Sequence, residues 1–358
     1  MKRHMTSKER VLTTLAQQEP DRVPINYSAN PGIDRRLKAH YGLKPDDGEG
    51  LIKVLGVDFR GIGAPYGGPS LHPEPPGRHV DVWGIHTRWI KHESGGYWDF
   101  CDFPLKDADL ETVENWPMPN PDDFDYSRVA ETCDRYAEYA LFVGGAGLGD
   151  IINSAGMIRT MEQVLVDLFT DDEAGLRYID RRALVLLEVT QRTIEAAKGK
   201  IDLMWMGEDL GSQISPMMSL DLYRRHIRPR HQKFVDLAKV HGLPVVIHTC
   251  GSSSWAYEDF IEMGFTGVDT LQPEATNMSP RYLKDHFGGR LAFHGCISTA
   301  GPVAYGTLDE VVANVRETLE IMMPGGGYCL APTHQLQDNS PTENVVAMYE
   351  AAKRFGRY

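Results

Sequence analysis

His248 and Cys250 stand two residues apart at the end of a β-branched run, Val245-Val-Ile-His-Thr-Cys-Gly. Residues two apart on a strand share a face, so an imidazole and a thiol can reach one ion there. Zinc takes both ligand types in tetrahedral sites, and catalytic zinc keeps one position open. Other apolar runs also end in polar or metal-capable groups: Gly207-Glu208-Asp209, Gln272-Pro273, His294-Gly-Cys296 and Pro332-Thr-His334. Ordinary capping accounts for Glu208-Asp209 well and for His294 alone adequately. It accounts for His248 with Cys250 poorly.

Such groups need a scaffold that gathers strand ends, and a parallel barrel does so at its C-terminal face. From the extended segment at Val23, apolar bursts recur near Gly56, Ala140, Ile201, Leu243, Gly267, Arg290 and Gly327. That makes about eight strands, the barrel number. Helical spacing predicts helices over residues 221–241, 308–322 and 342–355, the last opened by Ser340-Pro341. Thr6-Ser-Lys-Glu9 reads as a capping box ahead of Val11, Leu12 and Leu15. Strands alternating with helices imply parallel pairing. The expected fold is therefore an α/β protein, a single (β/α)8 barrel over residues 1–358.

Residues of about 67–126 break the alternation, being rich in Pro, Gly and aromatics. Val80-Asp-Val-Trp-Gly-Ile-His-Thr-Arg-Trp and Gly96-Tyr-Trp-Asp-Phe-Cys alternate as a hairpin does, in an insertion over the barrel mouth. Trp83, Trp89, Tyr97 and Trp98 suit either stacking on an aromatic substrate or covering the barrel. Gly144-Gly-Ala-Gly-Leu-Gly fits neither phosphate-loop pattern, and close packing at a strand end explains it better.

The chain has 358 residues, 42% hydrophobic and 24% charged, with net charge −13. An acidic balance argues against nucleic acid and anionic membranes as partners. The odd, scattered cysteines, Cys101, Cys133, Cys250, Cys296 and Cys329, form no disulfide framework and suit the reducing cytoplasm. The N-terminus starts basic but leads into a polar amphipathic helix, and no apolar run approaches the roughly 20 residues of a membrane span.

Several stretches resemble the uroporphyrinogen decarboxylase superfamily. They are Met206-Gly-Glu-Asp-Leu-Gly, Ser215-Pro-Met-Met-Ser-Leu-Asp-Leu-Tyr, Val246-Ile-His-Thr-Cys-Gly, and Gly326-Gly-Tyr-Cys-Leu-Ala-Pro-Thr-His followed by Pro341-Thr-Glu-Asn-Val-Val-Ala-Met. Ser7-Lys-Glu-Arg-Val-Leu and Asp21-Arg-Val-Pro carry it to the N-terminus. The resemblance implies a distorted (β/α)8 barrel with its cleft at the strand C-termini. It also implies one of two chemistries: metal-free decarboxylation of a tetrapyrrole, or cobamide-linked methyl transfer on zinc held by a His-x-Cys and a distant cysteine. Tyr27-Ser-Ala-Asn-Pro-Gly stands where the decarboxylases carry an arginine-rich motif, so a many-carboxylate substrate would lack its guanidiniums. Arg35 and Arg36 fall on a helix and are expected to be solvated.

The zinc methyltransferase branch is thus favoured. Where it carries the distant cysteine, this chain reads Ala331-Pro-Thr-His334. Read so, the ligands are His248, Cys250 and His334, a set one unit more positive than the family's and better suited to polarising oxygen. Glu208, at the family's acidic position, is expected as a proton acceptor or further ligand, and His334 as a second catalytic group. Cys296 and Cys329 are reserve ligands, the latter placed in the core. Tyr27, Asn30, Gln272 and His294 are the candidate substrate-binding residues. The expected reaction moves a methyl group between a small substrate, a methoxylated aromatic or a thiol, and a corrinoid. The chain lacks an Asp-x-His-x-x-Gly for a lower cobalt ligand, so a separate corrinoid protein is the expected partner. The resemblance also allows a homodimer. The alternatives are the metal-free decarboxylase and a non-catalytic corrinoid- or tetrapyrrole-binding protein.

Overall fold

Ten strands are present in the computed structural model, which describes residues 4–92 and 95–358; the basic start at Lys2 and Arg3 lies outside them. In chain order they are β1 (Phe59–Ile62), β2 (His79–Val80), β3 (His86–His92), β4 (Gly95–Cys101), β5 (Ala140–Gly144), β6 (Leu203–Gly207), β7 (Val245–Thr249), β8 (Gly267–Thr270), β9 (Ala292–Ile297) and β10 (Tyr328–Pro332). A seven-stranded parallel sheet runs β1-β5-β6-β7-β8-β9-β10, and β2-β3-β4 form a separate antiparallel sheet.

Residues 24–26 close the large sheet into a barrel. On one side Leu330 N–H donates to Pro24 O at 2.9 Å and Asn26 N–H to Leu330 O at 3.0 Å. On the other, Asp58 N–H donates to Ile25 O at 2.9 Å, and the Asp58 carboxylate accepts from Ile25 N at 2.8 Å. The eighth place is thus filled, but by a segment whose Pro24 has no N–H to give a regular ladder.

Alternate residues of each strand face opposite ways. Phe59, Ala140, Leu203, Trp205, Val246, Ala292 and Cys329 form one cluster, joined by Val11 and Leu15 of helix Ser7–Leu15. Their out-of-phase neighbours Leu141, Met204, Ile247, Val268, Phe293 and Leu330 belong to the larger cluster shared with the helices. Helix Ser7–Leu15 therefore packs into the barrel interior, and Cys329 is core as expected. That helix starts with the predicted capping box: Glu9 N–H reaches Thr6 Oγ1 at 3.1 Å, and Thr6 N–H reaches Glu9 Oε2 at 2.9 Å.

Helices Leu308–Met322 and Thr342–Phe355 fall where spacing predicts them. The stretch expected over 221–241 is helical from Leu220 to Val240, with a π-helical segment at Tyr223–Ile227. The insertion contains the expected hairpin, with Trp89 opposite Trp98 across β3 and β4. Trp83 is buried, whereas Trp89, Tyr97 and Trp98 are about half exposed. Close packing explains Gly144 and Gly149 of the glycine run, whereas a Cβ at Gly145 or Gly147 would meet nothing within 4 Å. A Cβ on Gly144, whose φ is +94°, would lie 2.2 Å from Trp205 O. Arg36 differs from expectation: it donates to Ser340 O at 2.8 Å and to Asp338 O at 3.1 Å, holding that loop. Among the described residues no helix is long and apolar enough to cross a membrane.

Candidate functional site

Parallel register places His248 of β7, Asp269 of β8 and His294 of β9 side by side, one per strand. Each continues the inward phase of its strand, two residues beyond Val246, Gly267 and Ala292. Asp269 binds both imidazoles at once. Its Oδ2 lies 2.8 Å from His248 Nδ1 and its Oδ1 lies 2.6 Å from His294 Nδ1. Burial works to raise the Asp269 pKa, but the two imidazoles overcome it and hold the carboxyl below the usual range. At the far side of its ring, His294 Nε2 meets the Asn26 amide Nδ2 at 3.1 Å. Asn26 donates there, so the proton of His294 sits on Nδ1, facing Asp269.

With Nδ1 of His248 held by Asp269, Nε2 is left facing Cys250 Sγ at 3.4 Å. Asp209 completes a group of three: its carboxylate, His248 and Cys250 have ligand atoms within 4.8 Å of one another. Zinc with ordinary Zn–S and Zn–N bonds at tetrahedral angles puts sulfur and nitrogen about 3.5 Å apart, so the observed spacing fits. A carboxylate holding the far nitrogen of a ligating histidine is also what such sites use to fix the ring. Burial lowers the His248 pKa, but the Asp269 hydrogen bond and then Cys250 outweigh it, leaving the ring well above its usual value. Burial likewise raises the Cys250 thiol, against the opposing effect of His248. The Thr270 hydroxyl comes within 2.8 Å of His248 Nδ1, on a backbone with φ of +88°, a strained value for a β-branched residue.

His248, Asp269, Thr270 and His294 open on a cavity of about 650 Å³, whose described lining includes neither Asp209 nor Cys250. Phe142, Trp205, His294, Tyr27, Met157 and Phe100 wall it, and no lysine or arginine is among its described lining residues. The Trp205 and His294 rings meet edge to face, with centroids 4.7 Å apart.

The expected site residues divide. His248, His294, Tyr27 and His334 line the cavity. His334 is not in the converging triad: it is exposed after the end of β10, with Nδ1 3.4 Å from Gln337 Nε2. Asp209 stands in the third place instead. An imidazole, a thiolate and a carboxylate carry the same formal charge as one imidazole with two thiolates, so an ion held by this group would lack the additional positive unit expected with His334. Glu208 does not line the cavity. It is fully buried and accepts N–H from Ile151 and Ile152, both at 2.9 Å, at the start of helix Ile152–Arg159. Burial lifts its pKa, as it does that of nearby Asp150. Asn30 donates to Gln337 Oε1 at 3.1 Å, and Gln272 Oε1 accepts the Gly251 N–H at 2.7 Å, bracing the turn after Cys250. Cys296 is buried in the outer cluster, because Gly295 and Cys296, with φ of +125° and +68°, break the phase of β9. Asp209, Asp269 and Asn26 were not anticipated. Strand phase was the signal for Asp209: counting inward from Leu203 and Trp205 passes Gly207 and reaches 209, not 208.

Residues 104–355 match the family Uroporphyrinogen decarboxylase (URO-D), and the chain belongs to that family. A solved methyltransferase from Methanosarcina mazei superposes with a TM-score of 0.68 at 19% identity, covering 98% of this chain and 99% of that one. Comparison with curated proteins gives no match.

Proposed function

We propose that the protein is a zinc-dependent methyltransferase acting between a small, uncharged methoxylated aromatic and a corrinoid carried by a separate protein. The observation that carries this reading is the Asp209–His248–Cys250 triad, whose His248 lines an aromatic-walled cavity with no lysine or arginine among its described lining residues. A many-carboxylate tetrapyrrole would find no guanidinium there to offset its charge, which disfavours the decarboxylase alternative. The similarity in fold to a methyltransferase agrees with the same branch.

Zinc, held by the triad, supplies Lewis acidity toward an ether oxygen, and the corrinoid supplies the nucleophile that takes the methyl group. The protein's own groups do the rest. Phe142 and Trp205 offer ring faces and edges to a planar substrate, and Met157 fills the space beside it. Asp269 fixes His248 with Nε2 toward Cys250, where an ion would be held, and keeps His294 in one tautomer, so that Asn26 and His294 present a fixed polar edge to the cavity. The carboxylate in place of a second thiolate gives the ion a harder ligand set, which suits oxygen better than sulfur. Five free cysteines fit residence in the cytoplasm.

The test is metal analysis of purified, zinc-reconstituted protein, followed by transfer from a panel of methoxylated aromatics to cob(I)alamin. About one zinc per chain and methyl transfer from at least one ether are expected. A protein that takes up no zinc, or one that holds zinc and is silent across the panel, would contradict the proposal.

A further inference from the structure

Beside the main cavity lies a second, of about 310 Å³, between the hairpin and the corner where helix Ile152–Arg159 meets helix Met161–Thr170. The two cavities share two walls, Phe100 and Met157. Beyond them the side cavity is bounded by Phe103, Asn153, Thr160 and Met161, with Asp99 the one charged residue among its described lining residues. Resting on the function proposed above, we infer that this side cavity is a specificity subsite. It takes the distal, uncharged and donor-ended chain of a substrate whose ring and methoxy group occupy the main cavity.

The partition is made of side chains that yield. Methionine has three rotatable bonds and adapts to irregular neighbours. Phe100 sits on β4, on the hairpin face it shares with Trp98, and is 40% exposed. Moving these two side chains joins the spaces without disturbing any barrel strand. The outer walls, in contrast, are held in costly backbone conformations. Phe103 has φ of +39° behind Asp102 at +64°, and Thr160 has φ of +74° with ψ of 143°. Bulky and β-branched residues seldom adopt such angles, and strain of this kind gathers where a site must be shaped. Arg78 grips the Asp102 carboxylate with Nε at 2.7 Å, and the Thr160 hydroxyl accepts from Gln163 N–H at 3.2 Å, so both bends are secured.

Charge and polarity select the ligand. Asp99, whose Oδ2 also meets Arg88 Nη2 at 3.4 Å, offers a carboxylate oxygen to a hydroxyl; the Phe and Met walls favour uncharged methylenes between ring and hydroxyl. Asn153 connects the two sites, since its Nδ2 donates to Asp209 Oδ2 at 2.9 Å. A chain packed against Asn153 therefore bears on the carboxylate of the metal triad.

Methionine-methyl NMR reads both cavities at once, because Met157 borders each of them and Met161 borders only the side cavity of the two. The probes are 2-methoxyphenol and the same ring carrying a para hydroxypropyl chain. The short probe is expected to shift the Met157 methyl signal alone. The chain-bearing probe should shift Met157 and Met161 and bind about tenfold tighter, the return on burying about two methylenes. Met161→Trp, which fills the side cavity from its exposed edge, should abolish that advantage and leave the short probe unaffected. If the long probe moves Met157 but not Met161, or keeps its advantage in Met161→Trp, the subsite is refuted and the main-cavity reading stands. If neither probe moves Met157, both readings fall together, whatever the zinc content.

Discussion

Asp269 holds two imidazoles with one carboxylate. In Asp269→Asn one oxygen remains to accept and the new amide donates, so at most one ring keeps its orientation. The expected result is a loss of about 10- to 100-fold in zinc affinity, the usual cost of removing such a partner, read by chelator competition. An unchanged affinity would mean that His248 is oriented by Thr270 alone. Asp209 and His334 give a second contrast. Asp209→Ala should abolish stoichiometric zinc, while His334→Ala should retain it, both read by metal analysis of folded protein. The reverse pattern would restore the ligand set that the sequence suggests. This is where sequence reading was strongest and weakest. His248 and Cys250 are legible because strand phase puts both on one face. The same phase, applied to Glu208 and Asp209, selects Asp209, but the acidic position of the family drew attention to its neighbour. Asp269 was hidden for a different reason: an aspartate in Gly267-Val-Asp-Thr reads as a strand residue, and its two partners lie on other strands, 21 and 25 residues away.

At the level of elements, barrel closure depends on a segment that cannot form a full ladder. Asp58 anchors this segment by accepting the Ile25 N–H. It is fully buried and accepts from Ser7 Oγ, Arg10 Nη1, Arg22 Nη1 and Ile25 N, all within 2.8 Å. One carboxylate thus ties the N-terminal helix, the closing segment and β1. Asp58→Ala leaves Arg10, itself almost fully buried, without that partner. Arg10 keeps Asp21, at 2.7 Å from its Nε, so the loss should fall below the cost of a buried charge left wholly unpaired, about 3–5 kcal/mol. The midpoint of urea unfolding should drop accordingly; a change under about 1 kcal/mol, typical of an exposed pair, would contradict this account. Periodicity made the barrel strands and the helices at 308–322 and 342–355 legible, because each is long enough to show its period. The insertion was legible as a hairpin but not as a wall of the site. Its tryptophans stand out in the sequence yet are buried or turned to solvent, and the residue that lines the cavity is Phe100. What aims it, the left-handed turn at Asp102 and Phe103, involves residue types that do not announce positive φ.

For the molecule as a whole, the Asp209–His248–Cys250 group spans the end of β6 and the end of β7, so zinc bound there as proposed should act as a brace between neighbouring strands as well as a reagent. Anything that binds only the folded state stabilises it, by about 2.7 kcal/mol at a hundredfold excess over Kd. With an unfolding entropy of about 2.1 cal/mol/K per residue, a chain of this length should melt about 3–4 °C higher under those conditions. The effect must depend on pH, and the sign is fixed by the ligands. Without zinc, His248 and Cys250 both have raised pKa values and hold protons at neutral pH. Zinc needs the free imidazole nitrogen and the thiolate, so its uptake releases those protons. Affinity therefore rises with pH, and at one zinc concentration the melting shift should be larger at pH 8 than at pH 6. Proton release can be checked by calorimetry in two buffers of different ionisation enthalpy, where the apparent binding enthalpies should differ. Equal enthalpies in the two buffers, or a melting shift that survives in Asp209→Ala, would mean that zinc is stabilising the chain from some other site.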